Sequence, residues 1–491
     1  MKKIFLIICI GLILNIIIVN ASPKQFVDYQ DKNGVETPVD FDPLLDINIT
    51  FDVLAIRALD KIDKYSQADF YLKLTINNQE YVSEVCNNTD YLYDYWSVSK
   101  NIPDDIELVN ISLQLLDYND DGPVLCDINK QKNVDDNGLD ITVYYNIKTG
   151  NWFGDDYNIG DGSGYGRACG TGDGSVYKNE KDCEIWFDIH QNDYDEDGIP
   201  YWIETNIYGT DPTVDNSGED NDIDGVPIEW EHRWGFNPNI WEDHEHFDSD
   251  KDSITNIEEY YTSVFKSDPY RQDVFLEMDF MEDGPNGEIS VVPEKAKELL
   301  KNPFHRRDIV FHIDSGLVSG GELITFDEKV KIDEVIELYN SYFLHNDEDN
   351  WRRGVFHYGL IVYSCSPPGF GFSGDIPPYW GYIPGTNGFI ISSKQMEKNN
   401  RISFKTLEYF YASAIMHEMG HNFGFRWGKP FGCDGQLTKY PWQIGYWFFR
   451  NYKSIMNYRY TYKILDYSDG SHGNRDHDDW NNLDLSYFEI P

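Results

Sequence analysis

His417-Glu418-Met419-Gly420-His421 is the stretch whose residue types and spacing point most directly to chemistry. On a helix, residues four apart share a face, so both imidazoles can bind one Zn2+. Glu418 lies on the adjoining flank, where it can take a proton from a zinc-bound water. The pentapeptide alone is a weak signal, because ordinary surface helices also carry such residues. Two features strengthen it. Gly424 can take the positive φ that ends a helix and redirects the chain toward the metal. About thirty residues further on comes Tyr452-Lys453-Ser454-Ile455-Met456-Asn457-Tyr458.

With these residues in view, the segment 270–491 resembles the metzincin clan of zinc peptidases. The extended zinc-binding helix of that clan ends at a Gly, and a methionine-containing turn lies beneath the metal. Ser454-Ile455-Met456-Asn457-Tyr458 resembles that turn, and Leu465-Asp466-Tyr467-Ser468 resembles microbial members. The resemblance implies Glu418 as general base and Tyr458 as a helper at the oxyanion. It implies that Met456 shapes the pocket without coordinating.

The clan places a third zinc ligand six residues after the second His, and this chain has Trp427 there. Indole cannot ligate zinc. The following loop is longer, and Asp434 is the first choice for the missing ligand; Cys433, His472 and His477 are the other donors in reach. Catalytic zinc sites keep three protein ligands and an open position, and bound water has its pKa lowered toward ~7. The expected reaction is peptide-bond hydrolysis by that water, with Glu418 moving the proton to the leaving amine and protein or peptide as substrate.

The elements that must position these residues follow from periodicity. Beyond residue 270, strands and helices alternate: strands at 274–281, 309–314, 355–363 and 388–392, helices at 293–301, 327–344 and 404–424. Before this domain lies a threefold repeat. Its loops carry Asp193, Asp195, Asp197 and Glu204, then Asp220, Asp222, Asp224 and Glu231, then Asp248, Asp250, Asp252 and Glu259. Each places carboxylates at positions 1, 3, 5 and 12, which predicts Ca2+ binding, with the backbone carbonyls of Ile199, Val226 and Ile254 at position 7. The incoming segments are not helical, so the loops resemble the Asp-rich calcium repeats of extracellular proteins more than EF-hands. Ser253 replaces the Gly expected at position 6 of the third loop.

Upstream, runs at 47–54, 70–76, 107–116 and 141–145 alternate as an antiparallel β-sandwich does. Ala68–Leu74 and Leu116–Asp121 resemble the calcium- and phospholipid-binding sandwich first defined in protein kinase C. That resemblance implies docking on a membrane or cell surface through this domain. The fold class is therefore multidomain α+β. Residues 1–21 read as a signal peptide, 38–150 as the sandwich, 151–187 as a Gly/Asp-rich linker, 188–269 as calcium repeats and 270–491 as the peptidase domain.

Charge and cysteine usage agree with an exported metalloprotein. The net charge is −45 over 491 residues, which excludes nucleic acid as a partner, since phosphates need Lys and Arg to neutralise them. Residues 188–259 hold 22 acidic residues against Arg233 and Lys251, a concentration that favours bound cations over mere solubility. Lys2 and Lys3 followed by an apolar run and Val19-Asn20-Ala21 predict cleavage after Ala21 and secretion. The six remaining cysteines then predict three disulfides, and sequence proximity favours Cys86–Cys126, Cys169–Cys183 and Cys365–Cys433. Two functions follow: a secreted zinc endopeptidase stabilised by calcium, or a non-catalytic calcium-dependent surface-binding protein with a degenerate peptidase domain. Trp427 is the feature that favours the second.

Overall fold

The computed structural model describes residues 40–103, 105–131, 139–156, 163–318, 320–366, 369–373 and 387–485. The expected signal peptide lies outside these residues. The chain is a mixed α/β multidomain protein with several sheets.

The N-terminal part is an antiparallel sandwich. One sheet runs β4 (Tyr91–Asn101), β1 (Asn48–Ala58), β10 (Cys183–Gln191), β9 (Gly166–Cys169). The other runs β3 (Gln79–Val82), β2 (Phe70–Ile76), β5 (Leu108–Asp117), β7 (Ile141–Asn146), β8 (Trp152–Gly154), with β6 (Val124–Leu125) on β5. Alternate residues such as Phe51, Leu72, Leu113, Val143 and Phe187 interdigitate in the core between them. The expected linker 151–187 is corrected here. It supplies three strands, and β10 pairs with β1 from Ile49 to Ala58.

None of the expected disulfides is present, and the six described cysteines are free thiols. Cys126 sits beside Cys183, not Cys86, because Cys183 N–H donates to the Asp127 carbonyl at 2.8 Å. Cys365 and Cys433 lie in different cores.

The acidic repeats form the connector, each loop followed by a short helix: α1 (Tyr201–Ile203), α2 (Ile228–Trp234) and α3 (Asn256–Tyr261). The C-terminal sheet has the order β12 (Val310–Asp314), β11 (Asp273–Met281), β14 (Phe356–Val362), β16 (Asn387–Ser392), β15 (Gly369–Ser373), with β13 (Leu323–Ile324) also on β11. All pairs are parallel except β15 with β16. Continuous burial along β11, β14 and β16 is what a parallel sheet covered on both faces requires.

One core joins this sheet to α4 (Glu294–His305) and α7 (Leu407–Asn422). The other includes α5 (Val335–Leu338) and the π-helical turn that continues it to Phe343. The expected long helix over 327–344 is thus confined to its second half; Val330 instead bridges to Cys365 beside the sheet. Shorter helices α6 (Ser393–Arg401) and α8 (Ile444–Phe448) complete the domain. No described helix is long and apolar enough to cross a membrane.

Sandwich and C-terminal domain meet through buried charges. Arg57 on β1 donates to Glu298 on α4 at 2.6 Å, and Glu184 on β10 lies 2.7 Å from His305 Nδ1 at the end of α4.

Candidate metal centre

Thr406 caps α7, its hydroxyl accepting the Tyr409 N–H at 3.4 Å, and an apolar run then buries the helix on nearly every side. The helix stops at Asn422; Gly424 follows at φ 95°, as the sequence predicts. His417 and His421 therefore project from one face, with ring centroids 5.1 Å apart.

Each ring is fixed through Nδ1. His417 Nδ1 lies 2.9 Å from the Ile455 carbonyl, and His421 Nδ1 lies 2.7 Å from that of Phe425. A carbonyl only accepts, so Nδ1 carries the proton and each Nε2 is left with a lone pair in the neutral ring. Both lone pairs face Asp434. Its Oδ1 is 3.3 Å from His417 Nε2, and its Oδ2 is 3.2 Å from His421 Nε2. Asp434 is itself held by the methionine-containing turn, donating its N–H to the Met456 carbonyl at 3.1 Å. Residues 455 and 456 thereby position one imidazole and the carboxylate together.

With both rings neutral, three acceptors are turned inward on one another, so the arrangement favours positive charge between them, carried by a proton on an imidazole or by a metal ion. Asp434 Oδ1 is buried with no hydrogen-bond partner. Burial opposes charge on His417, but the Asp434 carboxylate outweighs it and pushes the imidazole up to about 9. Burial would raise Asp434, yet the two imidazoles hold it well below the usual carboxylate range. Two imidazole nitrogens and one carboxylate oxygen are also a donor set that suits Zn2+. The other candidate ligands lie elsewhere. His472 bonds Asp476 at 2.9 Å, His477 bonds Asp479 at 3.0 Å, and Cys433 is buried in the core. Trp427 is exposed, its ring lying over Gly435.

Glu418 is buried beside the three ligands, its Oε2 4.0 Å from His421 Nε2. Burial pushes its carboxyl up, against the pull of both imidazoles. Tyr458 stacks its ring 5.7 Å from that of His417, and burial followed by the Asp434 and Glu418 carboxylates keeps its phenol protonated.

Glycines that sequence reading passed over make the site possible. A Cβ on Gly369 would lie 3.1 Å from Glu418 Oε1, and one on Gly371 only 2.9 Å from His421 Cβ. Strand β15 consequently runs flush against the helix face that carries the chemistry.

The acidic loops share one backbone. In each, the position-1 carboxylate accepts the N–H of position 6: Asp193 from Gly198 at 2.9 Å, Asp220 from Gly225 at 3.0 Å, Asp248 from Ser253 at 3.1 Å. Positions 4 and 6 are left-handed in all three, and Ser253 at φ 76° takes the conformation that Gly198 and Gly225 take. Ile199, Val226 and Ile254 bury their side chains. The carboxylates gather as acidic clusters. Both oxygens of Asp195, Asp222, Glu231 and Glu259 are buried without a hydrogen-bond partner. Burial, reinforced by like charges, pushes Glu204 up to about 8 and Asp250 up to about 10. Asp273, the first residue of β11, joins the third cluster, and nothing in the repeat pattern marks it.

No protein-family model matches the chain, and no curated protein matches it. Solved structures similar to part of it include human GIVD cytosolic phospholipase A2, at 15% identity and TM-score 0.19, covering 30% of this chain and 16% of that one. A C2 domain is similar at 12% identity and TM-score 0.19, over 30% of this chain and 98% of its own length. Calcium-bound extended-synaptotagmin 2 is similar at 10% identity and TM-score 0.20, over 32% and 47%. The chain thus spans about a sixth of the phospholipase's length.

Proposed function

We propose that the chain is a secreted zinc-dependent endopeptidase whose connector is stabilised by calcium. The observation that carries this reading is the convergence of His417 Nε2, His421 Nε2 and the Asp434 carboxylate, with Glu418 beside them and Asp434 Oδ1 buried without a hydrogen-bond partner. His417, His421 and Asp434 would hold the ion. When bound, zinc supplies Lewis acidity toward a water and toward the scissile carbonyl.

The protein's own groups do the rest. Glu418 takes a proton from the attacking water and returns it to the leaving amine; a carboxyl raised by burial is suited to both roles. Tyr458, kept protonated, donates to the developing oxyanion. Strand β15 is the edge of the sheet among the described residues, and it borders Glu418. A substrate added to that edge as an extended strand would bring its peptide bond to the site.

Trp427 favours the non-catalytic alternative only while the third ligand is missing, and Asp434 is the ligand that this reading supplies. The direct test is Glu418→Gln, which leaves the three ligands untouched. Zinc content should stay at the wild-type level while hydrolysis of a denatured protein falls by several orders of magnitude. Wild-type turnover in that variant would remove Glu418 from the reaction.

A further inference from the structure

The second acidic loop is met by an imidazole whose Nε2 faces its carboxylates. His244, thirteen residues past Glu231, turns back onto the loop and is 1% exposed. Its Nε2 lies 3.2 Å from Asp224 Oδ2. With Asp224 and Glu231 it forms one group whose ligand atoms all lie within 4.8 Å of one another. Glu231 is fully buried. Both of its oxygens, and His244 Nε2, lack a hydrogen-bond partner.

The first loop gathers Asp193, Asp195, Asp197 and Glu204 with no imidazole. Near the third loop, His312 uses its Nε2 to bond Asp273 at 2.7 Å.

The His244 ring is held in place from several sides. It packs edge-on to Phe236 at 4.9 Å and to Trp230 at 5.8 Å, and its Nδ1 is 2.9 Å from Asn256 Nδ2. In that amide orientation Asn256 Oδ1 is buried without a partner. Reversing the amide lets Oδ1 accept Nδ1–H, and the Nε2 lone pair is then left facing Asp224 and Glu231. This is how outer-shell acceptors fix metal-binding histidines.

Calcium takes six to eight oxygen ligands, whereas imidazole with carboxylates suits zinc, cobalt and their neighbours. Asp220 and Asp222 of the same loop supply further carboxylates, so the imidazole, not the charge, is what separates this site from the others. We infer that the second loop is a mixed nitrogen–oxygen site in which Asp224, Glu231 and His244 hold a borderline divalent cation of the zinc–cobalt class in place of calcium. The connector then carries two kinds of ion, and the middle one ties the segment after α2 back onto its own loop. None of its ligands belongs to the α7 site, so the inference does not rest on the proposed hydrolysis.

The experiment uses the full chain carrying His421→Ala, which disables the α7 site. The protein is stripped with chelator, refilled with calcium in large excess and titrated with Co2+. One Co2+ per chain should bind and resist displacement by calcium. Adding His244→Ala should weaken that binding by more than the roughly 10–100-fold that loss of an outer-shell partner costs. Adding His244→Asp instead should give an all-oxygen site from which calcium displaces cobalt. Displacement of Co2+ by calcium in the parent, or unchanged Co2+ affinity in His244→Ala or His244→Asp, would overturn the assignment. The same titration with His421 intact adds a second Co2+ that reports the α7 site separately.

Discussion

Gly420 and Met456 touch so closely that a Cβ built on Gly420 would lie 2.3 Å from the Met456 Sδ. Gly420, one of the two residues between Glu418 and His421, is therefore fixed by the turn beneath the helix. Its place explains how the Ile455 and Met456 carbonyls come near enough to hold His417 and Asp434.

Gly420→Ala should displace that turn. Overpacking of this kind costs about 1–3 kcal/mol, so the denaturant midpoint should fall, and zinc affinity should fall with it. Unchanged values for both would mean that Met456 is free to move aside.

Acid should loosen the contact between the sandwich and the C-terminal domain. Burial opposes charge on Glu298, but Arg57 and Lys301 outweigh it and hold the carboxyl at about 2, below the ~4.3 of an unfolded Glu. A depressed carboxylate contributes stability that is complete above the unfolded pKa and lost as pH falls toward the folded one. Glu298→Gln should therefore cost on the order of 2–3 kcal/mol at pH 7. The difference from wild type should shrink across the window from about pH 4.5 to 2, followed by urea unfolding at each pH. A gap that stays constant with pH would assign the loss to packing.

Chelation should destabilise the connector. Buried, unpartnered carboxylates repel one another when no cation is present, and ions that bind only the folded chain stabilise it by mass action. Chelator should lower the melting temperature by several degrees and open residues 190–262 to proteolysis, and calcium should restore both. Glu259→Gln, which removes one charge from the third cluster, should blunt the response to calcium. Melting that ignores chelator and calcium alike would contradict this.

Where function was legible in the sequence, one residue type at one spacing was enough. The fourfold step from His417 to His421, and the fixed position of Glu204, Glu231 and Glu259, report a helix face and a loop whatever else surrounds them. The misread elements depend on distant partners. β10 carries a fully buried Glu184, and that charge is held by Arg167 and His305, which lie outside the strand. β9 is four residues in a Gly-rich stretch that reads as a turn. Proximity along the chain paired Cys169 with Cys183, whereas the bridge between Asp127 and Asp182 brings Cys126 to it. His244 and Asp273 lie outside the repeat spacing, so only folding shows them beside it.

The most direct measurement is a crystal structure of the full chain grown with zinc, with anomalous scattering recorded at the zinc edge. The account predicts an ion about 2.0–2.2 Å from His417 Nε2, His421 Nε2 and an Asp434 carboxylate oxygen. A zinc ion at α7 held by His472, His477 or Cys433 in place of Asp434, or no zinc there at all, would contradict it.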